Sequence, residues 1–337
     1  LPPVVVSASA TPVQAREVGS AVTVITAEQI ERQQVRSLAD VLRQVPGVAL
    51  SRSGPTGSQT QVRIRGAEAN HTLVLMDGVE LNDPSGASEF DFGNMVASDV
   101  ERIEILRGPQ SALYGSEAIG GVINIITKRG KGPVSATLTA EGGSFETARL
   151  AGHAQGGGDW YDFSVGGTFF RTGGVSVAPE SEGNSERDGN ENKTLNVKLR
   201  IKPIENLEID LFGRLVDSTV ENDPQPFSAG VIGTIDGDDE TESLQRTGRV
   251  RLKYSLLDGR WEHIAGAAYH THQADLLTGG AVSFSSKGEK TRLDYQTNLF
   301  LETPDLANAR HTFTLLVERE TDAQQTASAF GGSDLEI

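Results

Sequence analysis

"TLNVKLRIK", residues 194–202, alternates without a break. Leu195, Val197, Leu199 and Ile201 fall on one face; Thr194, Asn196, Lys198, Arg200 and Lys202 fall on the other. A side-chain period of two belongs to a β-strand with one apolar face. Arg246–Leu256 repeats the pattern, with Val250, Leu252, Tyr254 and Leu256 against Arg249, Arg251 and Lys253. Arg292–Leu301 repeats it again, with Leu293, Tyr295, Leu299 and Leu301 against Arg292, Asp294, Gln296 and Asn298. The same reading predicts about nine strands, near 134–142, 145–156, 160–170, 194–202, 207–216, 246–256, 261–272, 291–302 and 311–320.

The connections carry more information than the strands. After a short "GGS" turn they alternate: "GGGD", "PIEN", "LDGR" and "PDLANAR" are short, whereas 171–193, 217–245 and 273–290 are long and polar. Short turns at one end and long loops at the other are the pattern of an outer-membrane β-barrel. Tyr161 and Phe169 share a face eight residues apart, as do Trp261 and Tyr269. At about 3.3 Å per residue that spacing covers roughly 26 Å, near the height of an apolar band between aromatic girdles. A soluble β-sandwich with aromatic core residues is the competing reading.

Composition narrows the classes further. The 337 residues carry 46 acidic and 30 basic side chains, a net charge of -16, which speaks against bulk nucleic-acid binding. There is no cysteine, hence no disulfide or thiolate metal site. No apolar run approaches the roughly 20 residues of a membrane helix, but barrel strands need only about 9–11 alternating residues. With scattered histidines and no nucleophile motif, the chain reads as a non-enzyme.

Residues 1–132 follow a different grammar, that of a compact α+β unit. "SAVTVITAEQI" gives a strand and then a helix start, with Thr26 and Gln29 spaced as a capping box. A second helix opens at Ser37, buries Leu38, Val41, Leu42 and Val45, and stops at Pro46-Gly47. Short strands follow in "QVRIRG", "HTLVLMDG", "VERIEIL" and "GGVINIITK". At the extreme terminus "LPPVVVSAS" offers a strand with no partner nearby, ordinarily an aggregation liability.

Those segments carry a resemblance. "VVVSAS", "LADVLRQVPGV", "QVRIRG", "TLVLMDGVELND" and "VERIEILRGPQSALYGSEAIGGVINIITKRG" are similar to the plug domain of TonB-dependent outer-membrane receptors, and within that family to receptors for cobalamin. The resemblance implies an α+β plug domain followed by an antiparallel transmembrane β-barrel of 22 strands. Plugged transporters need about that many, so only the opening part of the barrel is expected here. The implied division is 1–10 for the TonB box and N-terminal segment, 11–132 for the plug and 133–337 for the start of the barrel.

The resemblance also implies partners and sites. Val4, Val5, Val6, Ser7 and Ala8 resemble a TonB box, to which TonB, with its inner-membrane energising complex, adds a strand by β-augmentation. Ligand contacts are expected from plug loops 53–61, 66–71 and 82–92 on the long-loop side, with Gln59, Gln61, Glu68, Ser85 and Ala87 as candidates. Their small polar composition suits a large, amide-decorated ligand such as cobalamin or another corrinoid. In the acidic loops Glu186, Asp188, Asp223, Asp236 and Asp238 fall nearest the family's calcium positions, while the position near Ser176 lacks a carboxylate. No other cofactor is expected. Arg107 and Arg65 read as structural. His270 and His272, on the face opposite Trp261 and Tyr269, read as lumen lining or as a handle for haem iron. The implied setting is the outer membrane of a Gram-negative bacterium, against lipid and lipopolysaccharide. A haem or ferric-siderophore receptor and a non-transporting adhesion or structural barrel remain as alternatives.

Overall fold

The computed structural model describes residues 4–5, 13–14, 18–176, 178, 186–224, 237–303, 309–328 and 331–336. Val4–Val5 (β1) pairs antiparallel with Val13–Gln14 (β2), Val4 opposite Gln14 and Val5 opposite Val13. This corrects the expectation of an unpartnered terminal strand. Backbone polar groups find the nearest available ladder, and here the chain itself supplies it. Val6, Ser7 and Ala8 lie outside the described residues.

Ala21–Thr26 (β3) leads into Ala27–Gln33 (α1), and the capping box forms. Gln29 N donates to Thr26 Oγ1 at 3.4 Å and Thr26 N to Gln29 Oε1 at 2.9 Å. Leu38–Leu42 (α2) buries Leu38, Val41 and Leu42, with Val45 just beyond its end. Val48–Arg52 (β4) and Thr60–Ile64 (β5) form a hairpin. Thr72–Met76 (β6) turns through Asp77-Gly78 into Val79–Glu80 (β7). Both turn residues have positive φ, +49° and +80°, as an Asp-Gly type I′ turn requires. Val100–Arg107 (β8), Ser111–Tyr114 (α3) and Gly121–Thr127 (β9) complete the domain. Its sheet runs β3-β8-β9-β6-β7, with β6 and β9 parallel and the other pairs antiparallel. Ile103, Ile105, Ile123 and Ile125 pack with Leu38, Val41 and Leu42 in one core.

The rest is a single antiparallel meander. Its strands are Ser135–Gly143 (β10), Thr147–Gly157 (β11), Tyr161–Val175 (β12), Asp188–Ile204 (β13), Leu207–Asn222 (β14), Asp239–Leu256 (β15), Trp261–Thr278 (β16), Ala281–Thr303 (β17), Ala309–Ser328 (β18) and Gly331–Glu336 (β19). The ten are hydrogen-bonded in sequence order. Among the described residues there is thus one strand more than expected, and the strands are longer. The polar stretch 273–290, expected as a loop, is a hairpin whose turn is Gly279-Gly280, both at positive φ. Its ladder from Asp275↔Ser285 to Thr278↔Ala281 carries polar side chains as well as apolar ones, so alternation gives no signal there.

The sheet is inside out relative to a soluble protein. Leu195 and Val197 are 44% and 39% exposed, whereas Asn196 and Lys198 are buried at 4% and 7%. Ser164, Thr168, Thr172, Asn190, Asn192 and Thr194 are also buried, while Phe169, Leu215, Leu252, Trp261, Tyr269 and Leu293 face outward. That polarity rules out the sandwich reading, which needs the apolar face inside. The polar face looks onto the N-terminal domain.

Candidate functional site

The domain touches the sheet strand after strand. Arg36 Nε donates to Glu141 Oε2 of β10 at 2.9 Å, and Ser98 Oγ lies 2.6 Å from Thr168 Oγ1 of β12. Asn192 Nδ2 of β13 donates to Asn94 O at 3.1 Å, and Arg214 of β14 reaches Met95 Sδ at 3.2 Å. Lys198 of β13 donates to Asp77 Oδ1 at 2.6 Å and to Thr127 O at 2.8 Å; Arg249 of β15 donates to Asp77 O at 3.0 Å. Lys290 of β17 lies 2.7 Å from Glu80 and 2.9 Å from Asp322 of β18. A sheet that contacts one domain from β10 to β17 must curl around it, so the structure is a partial barrel filled by the N-terminal domain.

The expected ligand loops 53–61 and 82–92 sit at the long-strand end, beside Asn222 of β14 and His272 of β16 respectively. In loop 53–61, Ser58 Oγ donates to Asn222 Oδ1 at 3.2 Å, and Asn94 Nδ2 donates to Gly57 O at 3.3 Å. Gln59 is exposed. Gln61 Nε2 donates to Glu89 Oε2 at 2.6 Å, which ties this loop to loop 82–92. Ser85 N and Oγ donate to Asp83 Oδ1 at 2.9 and 2.8 Å, and Ala87 is exposed in the left-handed region at φ +56°. The loop of Glu68 packs beside Ala118–Gly120, where Gly120 N donates to His71 O at 2.8 Å.

Sequence reading singled out the tips of these loops and missed what organises them. Asn82 is fully buried; its Oδ1 accepts from Val74 N at 2.8 Å and its Nδ2 donates to Thr72 O and Ser88 O. Asp91 Oδ1 accepts from Thr60 N at 2.7 Å and Gly93 N at 2.8 Å, joining the two loops; burial nevertheless holds its carboxyl above the usual range. Burial would also raise Asp83, but His272 and Ser85 together hold its carboxyl below the usual range. The signal was available in "NDP", an Asx-type turn start ahead of a proline.

The acidic cluster is tighter than loop composition alone requires. Carboxylate oxygens of Glu186, Asp188 and Asp223 all lie within 4.8 Å of one another. Asp223 accepts from Ala178 N at 2.7 Å and Gly237 N at 3.3 Å, and both Asp188 and Asp223 are buried. A β-bulge between Thr172 and Val175 bends β12 opposite Asp188, and Gly174 within it has φ +63°; a Cβ there would collide with Asp188 O. Three convergent carboxylates offer up to six oxygens, the donor type and number that calcium takes. Of the other expected ligands, Asp236 lies outside the described residues. Asp238 is exposed and is not part of this group.

The family described as TonB-dependent Receptor Plug Domain matches residues 14–122. Residues 14–122 are a TonB-dependent receptor plug. Over 136 residues the chain is 43% identical to the vitamin B12 transporter BtuB of Photobacterium profundum, an alignment covering 40% of this chain and 22% of that protein. The siderophore receptor PirA of Acinetobacter baumannii matches with a TM-score of 0.71 at 23% identity, over 90% of this chain and 48% of that one. The pyoverdine receptor FpvA of Pseudomonas aeruginosa PAO1 matches at 0.78 and 14% identity, over 97% and 50%. The chain therefore spans about half the length of these solved receptors. At such identities the two structures speak for the fold, a plug followed by a partial barrel.

Around the plug, the remaining singled-out residues are placed as follows. Arg107 donates to Pro46 O at 2.7 Å and Thr23 Oγ1 at 3.1 Å, contacts within the plug. His270 and His272 face the lumen, and each is engaged. His270 Nδ1 lies 2.9 Å from Thr247 Oγ1. His272 Nδ1 lies 2.7 Å from Asp83 Oδ2, and its Nε2 lies 2.8 Å from Ser243 Oγ. Ser243, His272 and Asp83 thus stand in the order of a hydroxyl, a base and an orienting carboxylate. Ser243 sits within the ladders to β14 and β16, so its strand backbone offers no donor pair for an oxyanion.

Proposed function

We propose that the chain is part of an outer-membrane active-transport receptor of a Gram-negative bacterium that captures a large, neutral, amide-bearing ligand of the corrinoid class. The observation that carries this reading is the placement of plug loops 53–61 and 82–92 together at the long-strand end, where they meet a wall of uncharged hydrogen-bonding groups. Ser58, Asn94, Asn190, Asn192 and Asn222 are linked there by amide and hydroxyl contacts. Ser58, Asn190 and Asn192 are buried, so these contacts fix the loops against the wall. The uncharged polar side chains left accessible on the loops, Gln59, Gln61 and Ser85, suit carboxamide side groups, and the net charge of -16 disfavours a polyanionic chelate. The identity with a vitamin B12 transporter points the same way. Gln59, Gln61, Ser85 and Ala87 are the proposed plug contacts. Glu68, whose loop packs beside Ala118–Gly120, is proposed with them.

In this reading TonB pairs with the Val4–Ala8 segment and supplies the work of transport by β-augmentation. Because Val4 and Val5 are bridged to Gln14 and Val13, TonB exchanges one ladder for another. The outward apolar face of β10–β19 contacts lipid and lipopolysaccharide. Glu186, Asp188 and Asp223 would hold calcium and order the loops over the ligand; the ion supplies charge neutralisation there, and no chemical step is routed through it. Calorimetric titration of the receptor with cyanocobalamin, haemin and a ferric siderophore tests the assignment. Saturable binding of cyanocobalamin alone is the expected result, and preference for either iron chelate would replace the corrinoid reading.

A further inference from the structure

The contact between Asp83 and His272 crosses from plug to barrel at the base of loop 82–92. Asp83 has three roles in that loop. Its backbone N donates to Glu89 O at 2.9 Å, and its carbonyl accepts from Gly86 N and Ser88 N at 3.1 and 2.9 Å. Its carboxylate holds Ser85 through Oδ1, which leaves Oδ2 for His272. A carboxylate only accepts, so His272 Nδ1 donates, and Nε2 is then met by the Ser243 hydroxyl, which can give or take a proton. The ring is thereby fixed at both nitrogens.

The wall is cut to admit this contact. Gly288 of β17 stands directly opposite His272 of β16 in the ladder. A Cβ at Gly288 would collide with the Asp83 carboxylate and would come within 3.0 Å of Pro84 Cδ. The barrel thus provides a fixed donor on one strand and a gap on the next, and Asp83 enters between them.

We infer that His272 is a positioning residue for ligand capture: it holds Asp83, and through it Ser85 and Ala87, against the barrel wall in the geometry the ligand meets. This rests on the corrinoid reading above for the identity of the ligand, but not for the position of the loop.

The test uses the receptor produced from its own gene in outer membranes, with cyanocobalamin as the probe. His272→Leu removes the donor. Gly288→Val fills the gap without touching either partner's chemistry, and valine suits a strand. Each variant should bind about tenfold more weakly, the value of one hydrogen bond to a charged group. Together they should bind no more weakly than either alone, since both release the same contact. His272→Asn, which keeps an N–H donor near the place of Nδ1, should recover most of the loss. Wild-type affinity in His272→Leu, additive losses in the double variant, or no recovery by Asn would each overturn the inference. Amide exchange across residues 82–92 gives a second readout that needs no ligand: it should rise about tenfold in His272→Leu and stay near wild type in His272→Asn. If the wild type binds no cyanocobalamin, the corrinoid reading fails and the exchange experiment still decides the role of His272.

Discussion

Glu80 of the plug lies 2.7 Å from Lys290 of the barrel, and three further carboxylates crowd the same ammonium. They are Asp322 at 2.9 Å, Glu320 at 3.4 Å and Glu117 at 3.7 Å. One cation cannot neutralise four crowded anions. Burial, with the hydrogen bond to Glu117, pushes the Glu80 carboxyl from an ordinary 4.5 up to about 8.

A pH dependence of plug seating follows. The docked state retains a proton on Glu80 that a solvated carboxyl gives up above pH 4.5, so docking weakens as pH rises from about 4.5 to about 8 and levels off above that. The urea midpoint for plug release, measured at pH 5, 7 and 9, should fall across this window in the wild type and flatten in Glu80→Gln. An equal slope in the two proteins would remove Glu80 as the cause.

A second anchor responds to charge deletion. Lys198 and Asp77 are each 9% exposed at the side chain, so Lys198→Met leaves a carboxylate buried without its cation. A loss of about 3–5 kcal/mol is expected, much of it recovered when Asp77→Asn is added. Denaturant titration checks both. A loss below about 1 kcal/mol would mean that the pair behaves like a surface ion pair.

Calcium should tighten ligand binding. Carboxylates as close as those of Glu186, Asp188 and Asp223 repel one another until a cation bridges them. Binding of cyanocobalamin is expected to be stronger in millimolar calcium than in EDTA, and Asp188→Asn with Asp223→Asn should abolish the difference. Equal affinity in the two buffers would count against a calcium role.

Val6→Pro should abolish uptake and spare binding. Proline removes a backbone donor from the segment proposed to pair with TonB and leaves the residues of loops 53–61 and 82–92 unchanged. Uptake of labelled cyanocobalamin, compared with its binding to de-energised cells, separates the two. Equal loss of both would sink the coupling argument.

Much of this was legible in the sequence because it is local. Thr26 and Gln29 stand at capping-box spacing, and the box forms. Leu195 to Ile201 alternate, and the strand turns Leu195 and Val197 outward. The acidic residues at 186, 188 and 223 were recognisable as carboxylates in two loops, and the fold brings them to one point. The hairpin at Gly279-Gly280 was not legible, because polar side chains at the end of a long ladder carry no alternation.

The sequence by itself determined the side-chain period, the turn chemistry and the plug motifs, since each depends on residues within a few positions of one another. The tertiary structure alone decided which polar groups meet. Asp83 and His272 are 189 positions apart, and Lys198 and Asp77 are 121 apart. No local rule connects them, because their contact follows from the curl of the sheet around the plug. Polar groups buried there must find partners wherever the wall presents them, and the partners they find set the position of loops 53–61 and 82–92.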